Sequence, residues 1–422
     1  MTPRNYQPTR LNGFVNFTFP NVTHPIFGTA TVTGQFKRIK PHIFRLEVEP
    51  CVIEELSNKY CKLADQFGFR NHQFKRYSIK TIILTSIQTS LYWMPGVEPT
   101  SNEMDFIIRF FTWLWFLDDV MEEDWASREV NFDKYKSSEL KAVHNVYLSI
   151  FRGNNEIHYD KIMFPKQRNF LPLCALAEDI VKIGKHILGE CYDNIVEKSF
   201  IISLKNYLDS NQWFTLNPVD GRYNLATFQF WRVSNAATSV ALDVIAMMQN
   251  IRISTEMRSH PAFVRMISIA ESNVQLVNDV LGVATDFGYG GADVYSELVF
   301  RVLCKNESLQ GAIDAMCCKI NEDLEDLILI KETLTMVFGE DENLENLFDV
   351  IDSFIDGQHL VYVENIRYKC KRGFVRLTRD EAQDADAASR RENVAIDQRE
   401  INPEHPTCLL ARVRYVFKGQ CD

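Results

Sequence analysis

The chain has 422 residues and a formal net charge of −10; 46% of it is hydrophobic, 24% charged and 12% aromatic. That balance belongs to a globular protein with a large core, and an acidic surplus with no basic block excludes a nucleic-acid surface. The ten cysteines include no Cys-x-x-Cys spacing, which argues against a zinc site or a disulfide framework and fits a reducing compartment.

In chain order, residues 1–45 differ from the rest. Phe14-Val-Asn-Phe-Thr-Phe and Thr29-Ala-Thr-Val-Thr alternate and are β-prone between Pro and Gly breaks, and the expectation is an irregular N-terminal arm. The opening MTPRNYQPTRLNGF has no apolar signal region, so a cytoplasmic location is expected. From about 46 to 375 the apolar period is helical, with helices predicted over 52–68, 78–90, 102–124, 136–151, 171–186, 193–210, 225–249, 260–286, 292–304, 308–338 and 343–366. The expected fold class is all-α, a single helical domain. The longest apolar run, Phe106 to Leu117, contains Arg109 and is too short to span a bilayer. Residues 376–422 are dense in charge from Arg379 to Glu400 and then carry Pro403 and Pro406, which predicts a poorly ordered C-terminal tail.

Two stretches carry chemistry. The first is Phe110-Phe-Thr-Trp-Leu-Trp-Phe-Leu-Asp-Asp-Val-Met-Glu-Glu-Asp. Asp118 and Glu122 are four apart and share a helix face, with Asp119 beside it. Like charges this close repel unless a cation compensates, and magnesium prefers carboxylate oxygen. Taken alone, the run equally describes a solvated acidic helix end. Phe111 and Trp115 lie seven and three residues before Asp118, so an apolar wall ends in carboxylates. The second stretch is Asn278-Asp-Val-Leu-Gly-Val-Ala-Thr-Asp286. Asn278, Gly282 and Asp286 are spaced i, i+4 and i+8, within about 80° of each other over about 12 Å of helix. Gly282 costs a helix interior roughly 1 kcal/mol against Ala. It marks either a close helix contact or a place where water replaces a side chain.

With both stretches in view, residues 46–375 resemble the class I terpene synthases, which pair an aspartate-rich motif with an Asn-Asp-x-x-Ser-x-x-x-Glu-like motif. The resemblance implies a single-domain helical bundle that uses three magnesium ions. Asp118, Asp119 and Glu122 would then be ligands at the first motif, and Asn278 and Asp286 at the second. Gly282 stands where the family has Ser or Thr, and Asp286 replaces the commoner Glu. Arg232, 46 residues before Asn278, matches the family's diphosphate sensor. Asn235 and Ala236 match its linker and effector carbonyl at a helix break, and Arg367-Tyr368 matches its diphosphate-binding Arg-Tyr pair. By the same resemblance Asp118, Arg232, Arg367 and Tyr368 are the catalytic set, and Phe111, Trp115 and Phe228 line the substrate pocket with Asn235 and Ala236. The implied reaction ionises a linear prenyl diphosphate and cyclises the carbocation with release of diphosphate. Length, arm and tail resemble the octocoral terpene cyclases, which favours geranylgeranyl over farnesyl diphosphate. A monomer or homodimer with no nucleic-acid partner is expected. The alternatives are an elongating isoprenyl diphosphate synthase, which would want a second Asp-rich motif where Gln275-Leu-Val-Asn-Asp279 stands, and a non-catalytic isoprenoid-binding helical protein.

Overall fold

A computed structural model describes residues 11–39, 48–69, 77–120, 134–154, 169–216, 222–288, 295–365, 374–378 and 394–395. The elements, in order, begin with two strands, β1 (Leu11–His24) and β2 (Gly28–Ile39). Helices follow: α1 (Pro50–Gln66), α2 (Ile79–Trp93), α3 (Asn102–Val120), α4 (Lys134–Phe151), α5 (Phe170–Leu188) and a short α6 (Tyr192–Ile195). A π-helical segment, Val196–Phe200, leads into α7 (Ile201–Leu216). Next come α8 (Leu225–Asn235), α9 (Thr238–Met248), α10 (Thr255–Ser259), α11 (Pro261–Leu281), α12 (Val283–Gly288), α13 (Glu297–Lys305), α14 (Leu309–Phe338) and α15 (Glu342–Glu364). The last strands are β3 (Phe374–Thr378) and β4 (Val394–Ala395). The protein is thus mostly helical, as its apolar period requires. Local chemistry sets several helix ends. The Ser78, Ser254, Ser308 and Asp341 side chains each accept from a backbone N–H of the first turn, and Pro261 opens α11.

The chain forms two compact units. The first, residues 51–219 and 226–250, holds α1 to α7, nearly all of α8, and α9. Here α3 packs on α2 and α5, and α4 on α5 and α7. Its centre is aromatic: Phe110, Trp113, Phe151 and Phe200 are fully buried, with neighbouring ring centroids 5.0 to 6.1 Å apart. The Trp113 indole N–H donates to the Leu173 carbonyl at 3.1 Å, so this large ring is buried without an orphaned donor. Arg109, the charge inside the apolar run, bonds Asp105 at 3.0 Å and also pairs with Asp179.

The second unit, residues 1–50, 220–225 and 251–422, contains α10 to α15 and a four-stranded sheet in the order β2-β1-β3-β4. The region expected as an irregular arm is an antiparallel hairpin, with register shifts between Leu11 and Phe14 and between Phe19 and Val22, that pairs Phe17 with Gly34 and Thr18 with Thr33. Three features hold it in place. Alternation along β1 buries Val15, Phe17 and Phe19 on one face. Gly34 has to be glycine, because a Cβ there would stand 2.1 Å from the Phe17 ring. Helix α14 satisfies the open edge of β2: the Gln310 amide takes the Thr33 N–H at 3.1 Å and donates to the Thr33 carbonyl at 2.7 Å, and Asn321 accepts from Lys37 N. Deeper in, Arg38 forms a two-pronged bond to Asp356 of α15, at 3.1 and 2.5 Å, with both residues buried. Burial alone would raise the Asp356 carboxyl; the Arg38 guanidinium and the His359 imidazole together more than offset it and hold the group below its usual 3.8.

Besides the span 193–210, which the π-helical segment interrupts, two predicted helices are each divided. The span 225–249 breaks at Ala236 and Ala237, where Ala237 has a left-handed φ of 57°. The span 260–286 breaks at Gly282. Both breaks fall on the stretches singled out for chemistry.

Candidate active site

Helix α3 delivers Asp118 and Asp119 in its last described turn. Asp118 is partly exposed and Asp119 is 1% exposed. No basic residue lies in that turn. Adjacent carboxylates supply the oxygen donors that a hard divalent cation takes. Phe111, two turns earlier, is buried with its ring edge-on to Trp93 at 5.2 Å, whereas Trp115 is partly exposed. Glu122 lies outside the described residues.

Arg232 and Asn235 come together at the end of α8 in the same unit. Arg232 Nη1 donates to Asn235 Oδ1 at 3.0 Å, and the residues are 8% and 7% exposed. A guanidinium almost never lies this deep without polar partners. Asn235 in turn donates its amide to Asn211 of α7, which is 4% exposed. Reasoning from the sequence missed Asn211: nothing in Asp209-Ser-Asn211-Gln-Trp marks it, since its partner is 24 residues away. Ala236 follows directly and is partly exposed. The left-handed Ala237 then turns the chain into α9, which packs against α3. A non-glycine residue held in that conformation stores strain, and such strain clusters at functional sites. Phe228, one turn before Arg232, is fully buried and edge-on to Phe214 at 5.5 Å.

Asn278 and Asp286 belong to the other unit and are partly exposed. Gly282 N–H donates to the Asn278 carbonyl at 2.9 Å, and Asp286 N–H to the Gly282 carbonyl at 3.0 Å. A Cβ on Gly282 would stand 2.8 Å from that Asn278 carbonyl and 3.3 and 3.5 Å from the two Asp286 carboxylate oxygens. The Asp286 carboxylate therefore lies against the place of the missing side chain. Asp279, next to Asn278, has a structural task. It is fully buried and accepts from the Gln275 amide at 2.7 Å and from the Glu297 N–H at 2.6 Å, which ties α11 to the start of α13. Helix α12 is steadied from outside by the hairpin turn, with the His24 and Phe27 rings 5.7 and 5.1 Å from Phe287, both edge-on.

Among the described residues, no group of three or more His, Cys, Asp and Glu gathers at one point. Arg367 and Tyr368 lie outside them. The donors that are described, carboxylates of Asp118, Asp119 and Asp286 with the amide oxygen of Asn278, are all hard oxygen atoms. In each unit, taken by itself, oxygen donors of this kind suit a hard divalent cation rather than a thiophilic metal.

Residues 109–326, more than half of the chain, match the family model described as "Terpene synthase family 2, C-terminal metal binding". The matched span takes in both divided helices and the acidic end of α3. Among curated proteins, none matches the chain in sequence. Solved structures of similar fold include a single-substitution variant of cucumene synthase, at 13% identity and a TM-score of 0.56, covering 77% of this chain and 99% of that one. They also include linalool/nerolidol synthase from Streptomyces clavuligerus, at 12% identity and a TM-score of 0.54, covering 74% and 95%. Germacradien-4-ol synthase from Streptomyces citricolor matches at 10% identity and a TM-score of 0.54, covering 74% and 96%.

Proposed function

The chain belongs to terpene synthase family 2 and carries that family's metal-binding region, and from this we propose that it is a magnesium-dependent class I terpene cyclase. Residues 46–375 form its catalytic body in this reading. The substrate is a linear prenyl diphosphate, with geranylgeranyl diphosphate favoured and farnesyl diphosphate the alternative. The cation set is three magnesium ions, with Asp118, Asp119 and Glu122 as ligands at one motif and Asn278 and Asp286 at the other. When bound, the metal supplies the positive charge that stabilises a diphosphate leaving group.

The chain's own residues do the rest. Arg232, with Arg367 and Tyr368, donates charge-assisted hydrogen bonds to the diphosphate oxygens. These donors are strongest where negative charge grows, as the allylic C–O bond lengthens. Trp115, partly exposed, offers an aromatic face to the carbocation, contributing around 2 kcal/mol when water is excluded, whereas Phe111 and Phe228 are buried among the helices that form the wall. The Ala236 carbonyl, just before the strained turn at Ala237, serves as a further dipole for the cation.

The observation that carries this reading is the match of residues 109–326 to the family's metal-binding region, with Asp118 and Asp119 adjacent on α3 inside it. The test pairs wild type with Asp118→Ala on geranyl, farnesyl and geranylgeranyl diphosphate, reading terpene products by mass spectrometry and released diphosphate by a coupled assay. Wild type should give cyclic product and diphosphate only with magnesium. The variant should lose roughly 10²–10³-fold in turnover, the scale of removing one electrostatic contributor, with helical circular dichroism intact. Full activity of Asp118→Ala would overturn the assignment.

A further inference from the structure

Three buried polar side chains, Arg232, Asn235 and Asn211, form a line from α8 to α7. Donor chemistry sets their orientation. A guanidinium only donates, so the Asn235 atom 3.0 Å from Arg232 is the oxygen. The nitrogen of the same amide must then face Asn211, and Asn211 meets it with its own oxygen. This arrangement has a cost. Asn211 Nδ2 is left buried without a hydrogen-bond partner, a costly state for a polar group. Turning Asn211 over would pair that nitrogen only if Asn235 turned too, and Asn235 would then present its N–H2 to a guanidinium. The surrounding helices are held in register by aromatic contacts. Trp213 and Trp231 stack at 5.4 Å with their planes 10° apart, and Phe214 meets Phe228 at 5.5 Å.

We propose that Asn211 is a positioning residue for Arg232. By accepting from Asn235, it keeps the Asn235 oxygen on the guanidinium and so aims that guanidinium at the substrate diphosphate. The relay behind the arginine is uncharged, so it does not compete with an anion for the guanidinium as a carboxylate linker would. The proposal rests on the reading of Arg232 as a diphosphate ligand and adds to it the residue that sets its aim.

The test titrates inorganic diphosphate with magnesium into the full chain by calorimetry, with thermal unfolding as the control for folding. Arg232→Ala should bind at least about tenfold more weakly; wild-type binding there would remove the reading of Arg232 itself. With that loss in hand, Asn211→Leu should weaken binding about tenfold, roughly one hydrogen bond. Asn211→Asp, which still offers an oxygen to Asn235, should recover most of it. The double variant Asn211→Asp with Asn235→Asp sets two acceptors face to face and should bind more weakly than the product of its two single effects. The proposal is overturned if Asn211→Leu binds like wild type, if Asn211→Asp is as weak as Asn211→Leu, or if the double variant is simply additive.

Discussion

Helix α3 carries Asp118 near the end of 19 unbroken helical residues, whereas Asp286 sits on α12, a six-residue helix divided from α11 at Gly282. The two supports differ in where their rigidity comes from. Helix α3 is held by its own unit, through Phe110, Trp113 and the rings around them. Helix α12 is too short to be stable alone. Its support comes from elsewhere in its unit: Asp279 below the break, and the hairpin turn at His24 and Phe27 beside Phe287. A ligand on a long packed helix can be changed without touching its frame. A ligand on a short braced helix depends on every contact that braces it.

The strongest way to break that comparison is to unlock the hairpin. Arg38→Met removes the cation from a buried pair and leaves the Asp356 carboxylate uncompensated, which should cost roughly 3–5 kcal/mol of stability at neutral pH. The pH dependence has a definite sign. In the wild type the Asp356 carboxyl is held below 3.8, so its stabilisation is present above that value and fades as pH falls through the lower folded one. At neutral pH burial keeps His359 uncharged, so Arg38 is the cation that matters. Without Arg38 the folded carboxyl rises instead, and the destabilisation should be largest at neutral pH and shrink in acid. Urea unfolding at pH 7 and pH 4 measures both. A loss under about 1 kcal/mol would mean that this pair does not anchor the hairpin.

The next effect down concerns the break itself. Gly282→Ala places a Cβ 2.8 Å from the Asn278 carbonyl and against the Asp286 carboxylate. The Asn278 carbonyl has to give way, for about 1–3 kcal/mol of stability, the usual range for overpacking. Magnesium half-saturation of turnover should rise with it, because the displaced groups are the two proposed ligands. Gly282→Ser should suffer the same clash, so restoring the family's hydroxyl does not by itself restore its geometry. Unchanged stability and magnesium dependence in both variants would show that the break yields freely.

How much of this was legible in the sequence follows from the range of the interactions involved. The α3 motif was readable because its parts are local: an apolar run ending in acids, with Phe111, Trp115 and Asp118 on helical spacing. Most helix spans were readable within the described residues for the same reason, their interruptions excepted. The hairpin was not, although its alternation was plain, because its placement depends on Gln310 and Asn321 from a helix nearly 300 residues later. Gly282 was visible as an oddity, but a water and a folded-back Asp286 leave the same gap in a sequence. Asn211 left no trace, since an asparagine near the end of a helix has many uses and only the pairing with Asn235 selects one. Asp279 is the reverse case: it lies inside a motif, and yet its carboxylate is spent on the N–H that opens α13.

The smallest predicted effect is the most selective between the two supports. Phe27→Ala removes one edge-on ring from Phe287 at 5.1 Å, worth about 0.5–1.5 kcal/mol beyond the area it buries. A shift of that size in unfolding is easily produced by other causes, so the coupling is the better readout. Manganese binding, followed by electron paramagnetic resonance, should weaken in Phe27→Ala. That weakening should disappear when Asp286 has already been changed to Ala, because the brace then has no ligand to hold. It should persist in the Asp118→Ala background, where the braced ligand is still present. Coupling to Asp286 and not to Asp118 is what separate supports require. Equal coupling to both would mean that the hairpin steadies the whole protein, and the distinction between a self-supported and a braced ligand would be lost.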